Sequence, residues 1–257
     1  MIKAVFLDFD WTTFSHKTKK IPDSAYRAIL KAQENGVKIF LATGRDVNEL
    51  KDFDTRNINF DGYVLDNGQL LLDKDLNVLE VTYMEGTDKD KAVEFYKNNI
   101  MPVMIRTRED GYMNYADETT IQTLKDVDSV MPIIKQYENE NILVVTIFIK
   151  NDEEKQKITD TFTESTITWW HNNSCDVVPR ECNKMNGIKR ILNYYHINIE
   201  DIMTIGDSEN DTEMIENVKH GVAMGNSVQK IKDIAEYVTD DIDNDGLEKA
   251  FKNYNII

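Results

Sequence analysis

Hydrophobic and polar positions recur along this chain with two periods, and the places where the period changes divide it. Residues 4–7, "AVFL", are a short apolar run of the kind that forms a buried strand. "IPDSAYRAILKAQENG" follows, with Pro22 at its head, Asp23 or Ser24 in capping position, apolar residues at helical spacing and Gly36 as a stop, which predicts a helix. "VKIFLATGR" is a second apolar strand, and another helical stretch begins near Asp46. Strand and helix alternating through short connections predict parallel strands joined by right-handed crossovers, with ligand sites outside the carboxyl ends of the strands. Asp8, Asp10 and Thr43 fall at that edge.

The pattern changes in "FDGYVLDNGQLLLDKDLNVLE", where short strands broken by Asn-Gly and Asp-Xaa-Asn turns predict hairpins. From about residue 83 to 181 helical stretches ("DKDKAVEFYKNN", "DSVMPIIKQYEN", "DEEKQKITDTF") mix with strands ("NILVVTIFIK", "TITWW"). "KMNGIKRILNYY", "DIMTIGDSEND", "TEMIENV", "HGVAMGNS" and "VQKIKDIA" then restore the strand and helix alternation. The fold class expected is α/β, a parallel-sheet core made of residues 1–81 and 183–257, interrupted by an inserted α+β domain over 82–182.

Composition narrows the function. A 41% hydrophobic, 30% charged chain is expected to be globular, and a net charge of -16 opposes nucleic acid and anionic membrane alike. The one basic stretch, "HKTKK" at 16–20, lacks aromatic interleaving and is expected to be a solvated loop. Cys175 and Cys182 have no zinc-like spacing and suit a reduced, cytoplasmic chain; the N-terminal apolar run is too short for a secretory signal, and no 18-residue apolar stretch occurs. His16, His171, His196 and His220 are dispersed, with surface or interdomain roles sufficient for all, although His171 beside Trp169 and Trp170 could face a substrate. "DIDNDG" at 241–246 imitates half a calcium loop, but Lys252 stands where its bidentate glutamate belongs, so a turn before the last helix is expected.

"VFLDFDWTTF" ends a strand in Asp8 and Asp10, and "IMTIGDSEND" ends another in Asp207 and Asp211. If both strands lie in one sheet, Asp8, Asp10 and Asp207 converge, which is tolerable only around a hard cation; oxygen ligands without clustered Cys or His favour magnesium. Such an ion commonly has phosphate as its other partner. Thr43 offers a hydroxyl, Gly44 an approachable amide near a helix start, and Lys184 a full charge from a helix's first turn. Phosphate-cradling GxxxxGK[ST] and GxGxxG loops are absent.

The ordered set "DFDWTTF", "ATGR", the lysine of "NKMNGI" and "GDSENDTEM", supported by "DNGQLLLD" and "DNDGLEKAF", spans the chain and resembles the haloacid dehalogenase superfamily hydrolases, in the Cof-type phosphatase branch with a large inserted cap. That resemblance implies a Rossmann-like core and a magnesium-dependent phosphatase acting on small phosphorylated metabolites, sugar phosphates first, with no nucleic acid or membrane partner, as a monomer or small homo-oligomer. It implies Asp8 as nucleophile, forming an aspartyl-phosphate, and Asp10 as acid and then base, its backbone carbonyl helping to hold the metal with Asp8 and Asp207. Thr43, Gly44 and Lys184 would grip the phosphoryl group, Asn210 would hydrogen-bond phosphate or a metal-bound water, and Asp211 would orient Lys184 or the metal's waters. A phosphotransferase or mutase on the same scaffold, and a catalytically silent binder of metal or phosphometabolite, are the alternatives.

Two positions depart from the pattern. Met185 stands where glycine commonly follows the lysine, and Trp11 where glycine usually follows the second aspartate. The Trp11 loop is expected to shift, or its indole to narrow the site, unless the backbone there lies in a region open to any residue.

Overall fold

A computed structural model describes residues 1–127 and 129–257. The chain divides into two compact units, Met1–Val81 with Asn183–Ile257, and Thr82–Cys182. The first unit is built on an eight-stranded sheet. In chain order it opens with β1 (Ala4–Leu7), α1 (Asp23–Glu34), β2 (Lys38–Ala42), α2 (Val47–Lys51), β3 (Gly62–Leu65), β4 (Leu70–Asp73) and β5 (Val78–Val81). The second unit follows as α3 (Gly86–Lys97), β6 (Val103–Arg106), β7 (Gly111–Met113), α4 (Glu118–Asp126), β8 (Ile133–Ile134), β9 (Val144–Phe148), α5 (Asp152–Thr161), β10 (Ser165–His171) and β11 (Ser174–Pro179). The first unit resumes with α6 (Lys184–Tyr195), β12 (Ile202–Gly206), α7 (Thr212–Glu216), β13 (His220–Ala223), α8 (Gln229–Ile234), β14 (Tyr237–Val238) and α9 (Gly246–Asn253).

Strand order in the first sheet is β14-β13-β12-β1-β2-β3-β4-β5. β1 pairs in parallel with both β12 and β2, with Leu7 opposite Ile205 and Leu41. The hairpins expected after residue 60 form the antiparallel edge β3-β4-β5. Because successive side chains on a strand point to opposite faces, β1 serves two cores. Val5 and Leu7 pack with Ala25, Ala28, Ile29, Leu247, Ala250 and Phe251 of α1 and α9. Ala4 and Phe6 pack with Met185, Ile188, Ile191, Met214 and Ile231 of α6, α7 and α8. Helices on both faces leave the strand ends as the place where polar groups can gather.

The second unit has its own six-stranded sheet, β10-β11-β9-β6-β7-β8. Its core unites Ala92, Phe95 and Tyr96 of α3, Ile158 of α5 and Val103, Ile105, Val145, Ile147, Cys175 and Val177 of the sheet.

One expected helix is absent. Of residues 128–139, position 128 lies outside the described residues, and the rest hold no helix, with Ile133–Ile134 as a short edge strand beside β7. Pro132 explains this, since it donates no backbone hydrogen bond and its ring opposes a helical turn before it. The helix of this region is α4, whose sequence the periodicity did not single out and which Asp117 caps by accepting the Thr120 N–H at 2.9 Å.

Candidate active site

β1 and β12 stop within one residue of each other, so the acids that follow them emerge side by side. The Asp8 N–H continues the ladder, donating to the Ile205 carbonyl at 2.9 Å. The carboxylates of Asp8, Asp207 and Asp211 are buried and each brings an oxygen within 4.8 Å of the others. Lys184, at the first turn of α6, lies among them. Its Nζ donates to Asp8 Oδ1 and to Asp211 Oδ1, both at 2.6 Å, and the whole residue is only 1% exposed. Asp211 Oδ2 also accepts the backbone N–H groups of Asp207 (2.9 Å) and Ser208 (3.0 Å), which ties the turn after β12 to the lysine.

The electrostatics follow from burial. It drives the Asp8 carboxyl well above its ordinary value despite Lys184, and Asp211, Asp207 and Asp10 push the same way. Asp207 is raised to about 7 by burial and by Asp211, against the pull of Lys184. Lys184 goes upward, because Asp211 and Asp8 outweigh its own desolvation. One cation for three clustered acids leaves the group short of positive charge.

Asp10 takes a different direction. Its carboxylate accepts Arg45 Nε at Oδ2 and Arg45 Nη2 at Oδ1, both at 2.8 Å, and meets His16 Nε2 at 2.5 Å. Burial alone would raise its pKa, but the His16 and Arg45 hydrogen bonds hold it below the usual range. The guanidinium lies 4.4 Å over the Phe53 ring, and His16 sits at the edges of Phe14 and Phe53. His16 therefore leaves the solvated loop expected for "HKTKK" and joins the site; a histidine six residues from an acid carries no spacing signal. Arg45 thus serves as the ion-pair partner of Asp10.

The remaining residues line the next strand ends. Thr43 closes β2 with a buried side chain whose Oγ1 accepts the Arg45 N–H at 3.2 Å. Gly44 faces the Asn67 side chain, 3.1 Å from where a Cβ would sit. Asn210 reaches the same asparagine, Nδ2 to Oδ1 at 3.3 Å. Asn67 belongs to the turn Asp66-Asn67-Gly68, all with positive φ, and its N–H donates to the Thr43 carbonyl. The sequence marked that turn as a hairpin signal and as part of "DNGQLLLD", a supporting stretch of the resemblance, without a role in the site. Thr12 also reaches Asp207, at 3.4 Å.

Both departures from the pattern have a physical answer. Met185 is buried in the core beneath α6. Trp11 has φ +59°, so the backbone there lies in the left-handed region and is not open to every residue. The turn is held nonetheless: the Trp11 N–H donates to Phe14 O, and Asn226 Nδ2 donates to Trp11 O, both at 2.9 Å.

A divalent cation fits this centre. Asp8 Oδ2 is buried and has no hydrogen-bond partner among the described residues, the three acids are mutually repelling, and the donors are all oxygen. Asp8, Asp207 and Asp211 are the side chains placed to share it.

A doubly wound sheet with an insert after its antiparallel edge, and with acids and a lysine gathered at its carboxyl end, defines an α/β enzyme equipped for phosphoryl chemistry. The chain belongs to the haloacid dehalogenase-like hydrolases, which it matches over residues 5–251. Among curated relatives, YkrA of Bacillus subtilis, named as a candidate phosphatase, is 28% identical over 260 residues, covering 99% of this chain and 98% of that one. The 5-amino-6-(5-phospho-D-ribitylamino)uracil phosphatase YitU of the same organism is 24% identical, covering 97% and 96%. In three dimensions the chain is similar to a phosphatase of this superfamily from Bacteroides thetaiotaomicron, with TM-score 0.90 and 29% identity over 100% of this chain and 96% of that one. It is also similar to a subclass IIB sugar phosphatase, with TM-score 0.85 and 30% identity over 99% and 100% of the two chains.

Proposed function

We propose that the protein is a magnesium-dependent phosphatase of small phosphorylated metabolites, sugar monophosphates first, working through an aspartyl-phosphate on Asp8. The observation that carries this reading is the convergence of three buried carboxylates, two of them bonded to one buried lysine, with Asp8 Oδ2 left unengaged. Asp8 Oδ2 attacks phosphorus, the phosphorus–oxygen bond to the leaving group breaks, and the leaving oxygen takes a proton from Asp10. Water, giving its proton to Asp10, then cleaves the acyl-phosphate and frees inorganic phosphate and Asp8. Lys184 holds Asp8 and offsets charge on the transferring group, Thr43, Gly44 and Asn210 line its path, and Asp211 keeps Lys184 in place. A magnesium ion shared by Asp8, Asp207 and the Asp10 backbone carbonyl, with Asp211 beside it, would supply charge neutralisation. Asp10, ionised in its present contacts, must loosen from Arg45 or His16 before it can deliver a proton.

The similarity to a sugar phosphatase at 30% identity supports sugar phosphates as the first substrates to try. The test is phosphate release from a panel of sugar, nucleotide and cofactor monophosphates, with magnesium and with a chelator. Magnesium-dependent turnover that Asp8→Asn abolishes is expected; equal turnover in that variant would end the proposal. Transfer of the phosphoryl group to an added sugar acceptor in place of water would indicate a phosphotransferase.

A further inference from the structure

Trp11 combines two unfavourable features. Its φ of +59° places a bulky side chain in left-handed backbone, and the residue is 41% exposed. Glycine would relieve both. Such strain persists where the surroundings fix it and where it serves a function. The surroundings do fix it: the turn is closed by Phe14 and Asn226, and Phe9, Phe14 and Phe53 pack together beneath it.

The placement says what the indole is for. Its centroid lies 5.3 Å from the His16 ring, and His16 touches the Asp10 carboxylate at 2.5 Å. Asp10 is the proposed donor to the leaving oxygen, so the group that departs is released beside this ring. From these observations we infer that Trp11 is a specificity residue, whose exposed indole face packs against the leaving group. The inference rests on the phosphatase reading above.

The chemistry of the neighbourhood selects the ligand. Lys184 is engaged by Asp8 and Asp211, and Arg45 by Asp10, in a cluster rich in carboxylates. A second anionic group on the leaving side would meet repulsion. An electron-rich indole face instead attracts polarised C–H bonds, such as those on one face of a sugar ring. The ligand class is therefore a monophosphate whose leaving group is an uncharged ring.

The experiment compares glucose 6-phosphate with glycerol 3-phosphate in the wild type, Trp11→Phe and Trp11→Gly, by kcat/KM. The ratio favouring the hexose is expected to fall about tenfold in Trp11→Gly and to be largely kept in Trp11→Phe. Trp11→Gly is also expected to melt about 2 °C higher as the backbone strain is released. Calorimetric binding of the same two esters to Asp8→Asn, with and without Trp11→Gly, reads the contact without turnover. An unchanged ratio, or a lowered melting temperature with an unchanged ratio, would overturn the inference and leave the phosphatase reading intact. Ring-selective binding that depends on Trp11, in a protein that releases phosphate from no member of the monophosphate panel, would keep the contact and overturn the phosphatase reading.

Discussion

Lys184 is the residue on which the acidic centre balances. Two carboxylates receive its ammonium at 2.6 Å, out of contact with water. Removing one member of a buried ion cluster leaves the others charged and unpaired, a loss of about 3–5 kcal/mol. Lys184→Met, close in size and uncharged, is therefore expected to lose about that much in urea unfolding without metal. Added magnesium should recover part of it by replacing the lost positive charge. A loss below about 1 kcal/mol would mean that Asp8 takes up a proton instead. At this scale the sequence spoke clearly for acids that end strands, because a buried strand closing on carboxylates is physically odd. It was silent on His16, which reaches Asp10 only because the intervening residues turn back through the left-handed Trp11.

At the scale of elements, the placement of Lys184 depends on how closely α6 can approach the turn between β3 and β4. Gly68 has φ +94°, and a Cβ there would lie 2.3 Å from the Asn183 carbonyl, one residue before the lysine. Gly68→Ala combines backbone strain with a clash against backbone, neither of which a side-chain rotation relieves. The expected result is a loss of about 2–4 kcal/mol in urea unfolding, summing overpacking and left-handed strain. A drop in kcat beyond the stability effect should follow, since the head of α6 moves with Lys184. Full activity at unchanged stability would show that α6 can back away freely. Elements with clear boundaries in the sequence were legible: α1 between Pro22 and Gly36, α2 from its start near Asp46, and α6 with Lys184 in its first turn. Periodicity misled at residues 128–139, where apolar spacing resembled a helix face but Pro132 denied the turn, leaving Ile133–Ile134 on a sheet edge. Nor did spacing reveal that the Asp66-Asn67-Gly68 turn, a hairpin by its sequence, also closes the site, since that depends on strands paired across long chain separations.

For the molecule as a whole, the alternation that breaks near residue 81 and resumes near 183 follows from each unit burying its own apolar residues. The core of residues 82–182 is drawn from α3, α5 and the six-stranded sheet, so this stretch expressed alone is expected to unfold cooperatively in urea; a non-cooperative transition would show that it depends on the rest of the chain. The acidic centre makes a separate demand. Asp207 sits at about 7 in the fold, against an ordinary value of 3.8, because burial and Asp211 resist its ionisation, and Asp8 is raised in the same sense. Between those values the unfolded chain has lost the proton that the folded chain keeps. Folding is therefore penalised increasingly as pH rises through the window, and the penalty levels off above it. A divalent cation binds the ionised carboxylates, so its stabilising effect must compete with those protons at low pH and be freed of them as pH rises. The gain in melting temperature from saturating magnesium is accordingly expected to be small near pH 5, to grow up to about pH 7 and to be nearly constant above about 8. Asp207→Asn should abolish most of that growth. A magnesium gain that is the same at every pH, or that survives in Asp207→Asn, would mean that the ion is held elsewhere.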